Sequence, residues 1–250
     1  MTRPRLLLAF VVLGAGAAVL SGCATPAGSG GAASTAPSAS GSASESASPG
    51  ASGGAVGTDD VEAAWLDGGR GVGLVTYGSS SCLPVVGEPT YADGVLTVDI
   101  SDPEGEACTR DLVPRGSYVG LPEGVDPTRE LEIVVTGTYA DDTDLDGLEG
   151  EIAVPEEFAP SAGWADDDMM LILSWGSSTC PPVLESAEAA GTEVQVRFAE
   201  PVADQVCTAD MAPRVTVVAV TGAVDDDAAV TAVLSGGEFA DIRLPVLGTP

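Results

Sequence analysis

From about residue 60 onward the chain can be read twice in one register, and this repetition restricts its possible folds more than any other feature. Ala63-Ala64-Trp65-Leu66-Asp67 returns as Ala162-Gly163-Trp164-Ala165-Asp166, and Tyr77-Gly78-Ser79-Ser80-Ser81-Cys82 returns as Trp175-Gly176-Ser177-Ser178-Thr179-Cys180. Cys108-Thr109-Arg110-Asp111-Leu112-Val113-Pro114-Arg115 returns as Cys207-Thr208-Ala209-Asp210-Met211-Ala212-Pro213-Arg214. Gly137-Thr138-Tyr139-Ala140-Asp141 returns as Gly237-Glu238-Phe239-Ala240-Asp241. The offsets are 99, 98, 99 and 100 residues, the mark of a tandem duplication. Two copies are too few for a solenoid, and the lengths suit two small domains over residues 59–158 and 159–250.

Within each unit the apolar residues fall in short runs, rich in β-branched types and bounded by Gly, Pro and Asp. These runs predict strands at 72–77, 95–100, 117–119 and 130–136, then at 169–175, 193–198, 215–220 and 230–234. Residues 192–198 alternate apolar and polar side chains, as a strand with one buried face does. No segment carries a long helical stripe. The expected fold is all-β: two tandem homologous antiparallel β-sandwiches or open barrels, each with one disulfide, after a disordered tether.

Four of the five cysteines lie two to a unit, separated by 26 residues in the first and 27 in the second. Four cysteines allow three pairings, and the duplication selects Cys82 with Cys108 and Cys180 with Cys207. Closing loops of this size contributes about 3.5 kcal/mol each in the loop-entropy treatment. Thiolate ligation of a metal is opposed by the lack of a Cys-x-x-Cys motif and of any histidine.

The fifth cysteine, Cys23, belongs to a different part of the chain. Arg3 and Arg5 precede an uninterrupted apolar and small stretch over residues 6–20, and Leu20-Ser21-Gly22-Cys23 follows directly. At fifteen residues the stretch is short for a membrane span, which needs about 20. The tetrad resembles the lipobox of bacterial lipoproteins. That resemblance implies that residues 1–22 are a signal peptide and that Cys23 carries diacylglycerol and begins the mature chain. Two acyl chains hold stably, where one holds only marginally. Residues 23–58 are almost entirely Ala, Ser, Gly, Pro and Thr and are expected to form a flexible tether. A coil of that length spans roughly 30–35 Å.

The net charge is −29, and removal of residues 1–22 takes Arg3 and Arg5 but no acid, leaving −31. Such a chain repels nucleic acid phosphates and anionic headgroups, so no nucleic acid partner is expected and the lipid is the expected membrane contact.

Chemistry-bearing candidates are few. The shared block places Asp111 with Arg115 and Asp210 with Arg214, either as a recognition site for a carboxylate or phosphate or as a brace for the disulfide loop. The serines after each first strand have neither His nor Lys to activate them and are expected to cap turns. Gly50-Ala51-Ser52-Gly53-Gly54 spells a nucleophile elbow, but within low-complexity sequence. Asp142, Asp144 and Asp146 open a calcium-loop pattern whose twelfth position is Ala153 instead of Glu, so calcium is a weak expectation and no other cofactor is expected. Together these features describe a non-enzymatic binding or scaffolding lipoprotein, anchored on the extracytoplasmic face of the membrane and facing an extracytoplasmic protein or cell-wall partner. Alternatives are an accessory or inhibitory module for one protein partner, and a hydrolase built on two carboxylates.

Overall fold

The computed structural model describes residues 60–250 except 154, 226 and 227. The signal segment, Cys23, the tether and the Gly50–Gly54 motif therefore lie outside the described residues.

Among the described residues the chain is all-β, without an α-helix, and it carries two disulfides. The first half supplies β1 (Glu62–Leu66), β2 (Gly71–Gly78), β3 (Val85–Val86), β4 (Thr90–Ala92), β5 (Val95–Ser101), β6 (Val113–Gly120), β7 (Leu131–Gly137) and β8 (Asp141–Leu145). The second half supplies β9 (Ser161–Asp166), β10 (Met169–Gly176), β11 (Leu184–Ala190), β12 (Glu193–Phe198), β13 (Ala212–Ala219), β14 (Thr231–Gly236) and β15 (Phe239–Leu247). β1, β2 and β6 form one antiparallel sheet, while β3, β5, β7 and β8 form another, with β4 also on β5. β9, β10 and β13 reproduce the first arrangement and β11, β12, β14 and β15 the second, with β15 joining the two by pairing with β9.

The sheets are not purely antiparallel, which corrects the expectation from the sequence. β5 runs parallel to β7, and β12 parallel to β14. The cause is the path between them: the chain leaves β5, crosses to the other sheet to lay down β6, and crosses back, so β7 resumes the direction of β5.

Alternation along the strands shows where each face is buried. Trp65, Val72 and Leu74 share one cluster with Leu96, Ile100 and Ile133 of the neighbouring sheet. Trp164, Met170 and Ile172 do the same with Val194, Phe198 and Leu234. The opposite faces of these three-stranded sheets are also buried, against each other. Ala64, Leu66 and Val75 meet Met169, Leu171 and Leu173, with Tyr118, Trp175, Val215 and Val217 around them. β2 and β10 are therefore covered on both sides. This is why Met169-Met170-Leu171-Ile172-Leu173 is apolar without alternation. Each fully buried leucine in this third cluster contributes about 2 kcal/mol by leaving water.

Equivalent positions of the two repeats face each other across this junction, where two side chains cannot occupy the same space. Gly116 and Val215 are one such pair: a Cβ on Gly116 would lie 2.4 Å from Val215 Cγ1. At Gly163, the counterpart of Ala64, a Cβ would lie 2.1 Å from the carbonyl oxygen of Trp65. In both places one repeat keeps glycine so that the other can approach. A polar node secures the same junction. The Asp67 amide donates to Ser161 Oγ at 2.8 Å, and its carboxylate accepts Arg70 Nη2 at 2.6 Å and the Tyr118 hydroxyl at 3.2 Å. Burial, reinforced by the Asp67 charge, pushes the Tyr118 phenol up to about 12.

Gly116→Val is expected to overpack the junction and cost about 1–3 kcal/mol, lowering the melting temperature by several degrees. The exchange Gly116→Val with Val215→Gly returns one side chain to the pair and is expected to recover much of that loss. Thermal melts of the two variants test this, and equal melting of the single and exchanged variants would contradict it.

Candidate functional site

The two motifs that recur in each repeat, Gly-Ser-Ser-(Ser/Thr)-Cys and Cys-Thr-x-Asp-x-x-Pro-Arg, are halves of one structure. Disulfides Cys82–Cys108 and Cys180–Cys207 join them, each with a Cα–Cα distance of 5.6 Å. In the first repeat the Asp111 carboxylate accepts the Ser80 amide at 3.2 Å and the Thr109 hydroxyl, while Thr109 Oγ1 lies 2.7 Å from Ser79 Oγ. In the second, Asp210 accepts the Ser178 amide at 3.2 Å and the Thr208 hydroxyl, with Thr208 Oγ1 2.8 Å from Ser177 Oγ. The serines thus close a turn. Hydroxyl and amide donors from Ser80 and Thr109 hold Asp111 down at about 2, and those from Thr208 and Ser178 hold Asp210 there likewise.

The arginines of the block do not pair with these aspartates. Arg115 lies opposite Thr76 on β2, so its side chain enters the core face of the sheet at the end covered by the disulfide loop. It is 4% exposed, as Arg214 is 6%. Arg115 Nη1 donates to the Cys82 carbonyl at 2.7 Å and lies 3.5 Å from the Asp102 carboxylate, and the guanidinium carbon sits 5.0 Å from the Tyr139 ring centroid. Arg214 donates to the Cys180 carbonyl at 3.1 Å, the Trp175 carbonyl at 3.0 Å and the Glu238 carboxylate. Burying a guanidinium costs several kcal/mol unless it is paired and bonded, and here an acid and loop carbonyls supply that compensation. Each arginine thereby clamps the carbonyl of the first disulfide cysteine. Nε and Nη2 of Arg115 and Nε of Arg214 lack a protein acceptor but are enclosed, so an anionic ligand reaches them only if the loop lifts.

The clamps differ in their cover. Tyr139 lies over Arg115 and donates to Asp102 at 2.6 Å. Its counterpart Phe239 turns inward onto Phe198, with ring centroids 4.6 Å apart. A groove of about 550 Å³ lies beside Arg214 and Glu238, with Pro182, Val183, Pro201 and Val202 among its walls. A second cleft, of about 360 Å³, lies where β6 and β13 meet, between Leu83 of one loop and Pro181 and Pro182 of the other.

Large exposed apolar side chains gather at these loops. Val85 and its counterpart Val183 are 56% and 64% exposed, and Leu112 and its counterpart Met211 are 56% and 57% exposed. Leu83, Val202 and Val206 add to them. The sequence reading missed this surface, because single aliphatic residues between prolines and cysteines carry no periodic signal.

Two of the three aspartates of the calcium pattern lie on one strand. Asp142 and Asp144 stand on strand β8, paired with Val134 and Glu132, and only Asp146 follows the strand. A calcium loop folds its ligands around a centre, which an extended strand does not. Among the described residues no three His, Cys, Asp or Glu side chains are grouped to hold a metal ion.

Both aspartates have folded-state values below the ordinary 3.8, so the stability they add is present above that value and is lost as pH falls through about 2. The variant Asp111→Asn with Asp210→Asn is expected to melt below the wild type at neutral pH, and the gap is expected to narrow as pH falls from about 4 to about 2. A gap independent of pH would count against the clasp. Arg115→Met or Arg214→Met leaves loop carbonyls without donors and is expected to cost about 1–3 kcal/mol, read by denaturant unfolding. No family model matches the chain, and no curated protein or solved structure is significantly similar to it, so its function is argued from its own residues.

Proposed function

We propose that the protein is an extracytoplasmic lipoprotein, fixed to the membrane through lipidated Cys23, whose two disulfide-stapled repeats form a non-enzymatic binding or scaffolding module. The observation that carries this reading is the apolar stretch 6–20 ending in Leu20-Ser21-Gly22-Cys23 and followed by a tether free of apolar pattern. Two further features support it. The disulfides belong to an oxidising compartment. A chain without His or Lys lacks the commonest acid-base groups. Residues 59–158 and 159–250 are read as homologous β-sandwich domains that act as one body through their shared junction.

The exposed aliphatic residues on the disulfide loops favour a second, narrower reading, in which the module serves one protein partner as an accessory or inhibitor. A surface of separate aliphatic side chains suits a protein better than a sugar or a small ion.

Lipidation is tested by detergent phase partitioning and intact mass. The wild type is expected in the detergent phase with the mass of a diacylglyceryl chain beginning at Cys23, and Cys23→Ala is expected in the aqueous phase. Retention of Cys23→Ala in the detergent phase would refute the anchor.

A further inference from the structure

We propose that Cys180–Cys207 is a thiol-exchange site, open to a small uncharged or cationic thiol that enters by the groove beside Arg214, while Cys82–Cys108 is an inert structural staple.

The two bridges are equivalent in sequence but not in burial. Cys82 is 3% exposed, whereas its counterpart Cys180 is partly exposed, and Cys207 is exposed as Cys108 is. The turn before each bridge repeats the inequality: Ser79 is buried and Ser177 is partly exposed. Exchange requires a thiolate to reach one sulfur and the other sulfur to leave as a thiolate, and a leaving thiol of lower pKa departs faster. In the first repeat an attack on Cys108 would expel Cys82 into a buried position, where desolvation raises the thiol and makes it a poor leaving group. In the second, Cys180 keeps contact with water and leaves more readily.

Access is provided at the same place. Cys180 and Cys207 both line the groove of about 550 Å³, together with Pro182, Val183, Pro201 and Val202. An incoming thiolate forms a bond to Cys207 Sγ as the Cys180–Cys207 bond breaks, and Cys180 departs with the electron pair and takes a proton from water. The incoming sulfur is oxidised to the disulfide level and Cys180 is reduced, so no further oxidant or reductant enters. The exchange removes one restraint on the loop and leaves the Asp210 clasp and the Arg214 clamp to hold it.

Charge selects among thiols. Glu200, Asp204 and Glu238 line the groove. Glu238 is paired with Arg214, but Glu200 and Asp204 take part in none of the ion pairs among the described residues. Their charge repels an anionic thiol and draws a cationic one inward.

The test treats the full mature chain in detergent micelles with cysteamine or with mercaptoacetate at equal thiolate concentration, quenches with N-ethylmaleimide and maps the cysteines by peptide mass. Cysteamine is expected on Cys207, with Cys180 alkylated, at least about tenfold faster than either change appears at Cys82 or Cys108. In concentrated urea the two bridges are expected to react at similar rates, since the fold is what distinguishes them. Glu200→Gln with Asp204→Asn is expected to reduce the preference for cysteamine over mercaptoacetate at least about threefold at low salt. No reaction at Cys180–Cys207, equal or faster reaction at Cys82–Cys108 in the native chain, the same selectivity in urea, or an unchanged preference in the Glu200 and Asp204 variant would each overturn the proposal.

Discussion

The packing of one three-stranded sheet against its counterpart is the constraint on which the rest of the molecule depends. Each repeat on its own would expose Leu66 and Val75, or Leu171 and Leu173, on the outer face of a sheet only three strands wide. Bringing the two faces together buries both sets and leaves β2 and β10 covered on both sides. Such a junction is apolar and close-packed, so it behaves as core and not as a hinge. The asymmetries Gly116 against Val215 and Ala64 against Gly163 follow from it, because a symmetric arrangement of identical residues would collide at those points. The repeats are therefore complementary more than identical.

At the loop ends a different balance holds. The paired cysteines are 26 and 27 positions apart, and the stretches that run from each cysteine to the core strands β5 and β12 are mostly exposed, so entropy opposes their order. Three devices compensate: a disulfide that limits the unfolded chain, an aspartate gathering hydroxyl and amide donors, and a buried arginine bonding the carbonyl of the first cysteine. Only the arginine reaches into the core, which ties the loop to the sheet beneath it. Its burial is tolerable because an acid is supplied locally, Asp102 in one repeat and Glu238 in the other. That the acid comes from different segments shows that the requirement is the charge near the guanidinium and not a particular residue.

Ordering the loops also has a consequence for display. A loop held at three points can keep Val85, Leu112, Val183 and Met211 in water without collapsing onto its own core. The exchange of Tyr139 for Phe239 distinguishes the two clamps: an aromatic ring lies against Arg115, whereas Phe239 packs onto Phe198.

The all-β class, the two disulfides and the pairing of recurrent motifs are legible in the residues alone, because these depend on local pattern and on repetition along the chain. The alternating strand over residues 193–198 was legible to the residue, since one of its faces is buried and the other wet. Strands that depend on distant neighbours were not. β8 is written in aspartates and is held by its ladder to β7, and β15 passes through Pro245 while linking two sheets. The unbroken apolar run at 169–173 was visible, but its meaning, burial on two faces, required knowing that a second sheet stood behind it. Likewise Asp111 and Arg115 could be singled out from spacing, yet only the fold decided that they serve the loop separately, one at the surface and one in the core. The fold also settled which aliphatic side chains stand exposed at the disulfide loops. Proximity in space, set by the junction of the repeats, brings together residues nearly 100 positions apart that no local pattern connects.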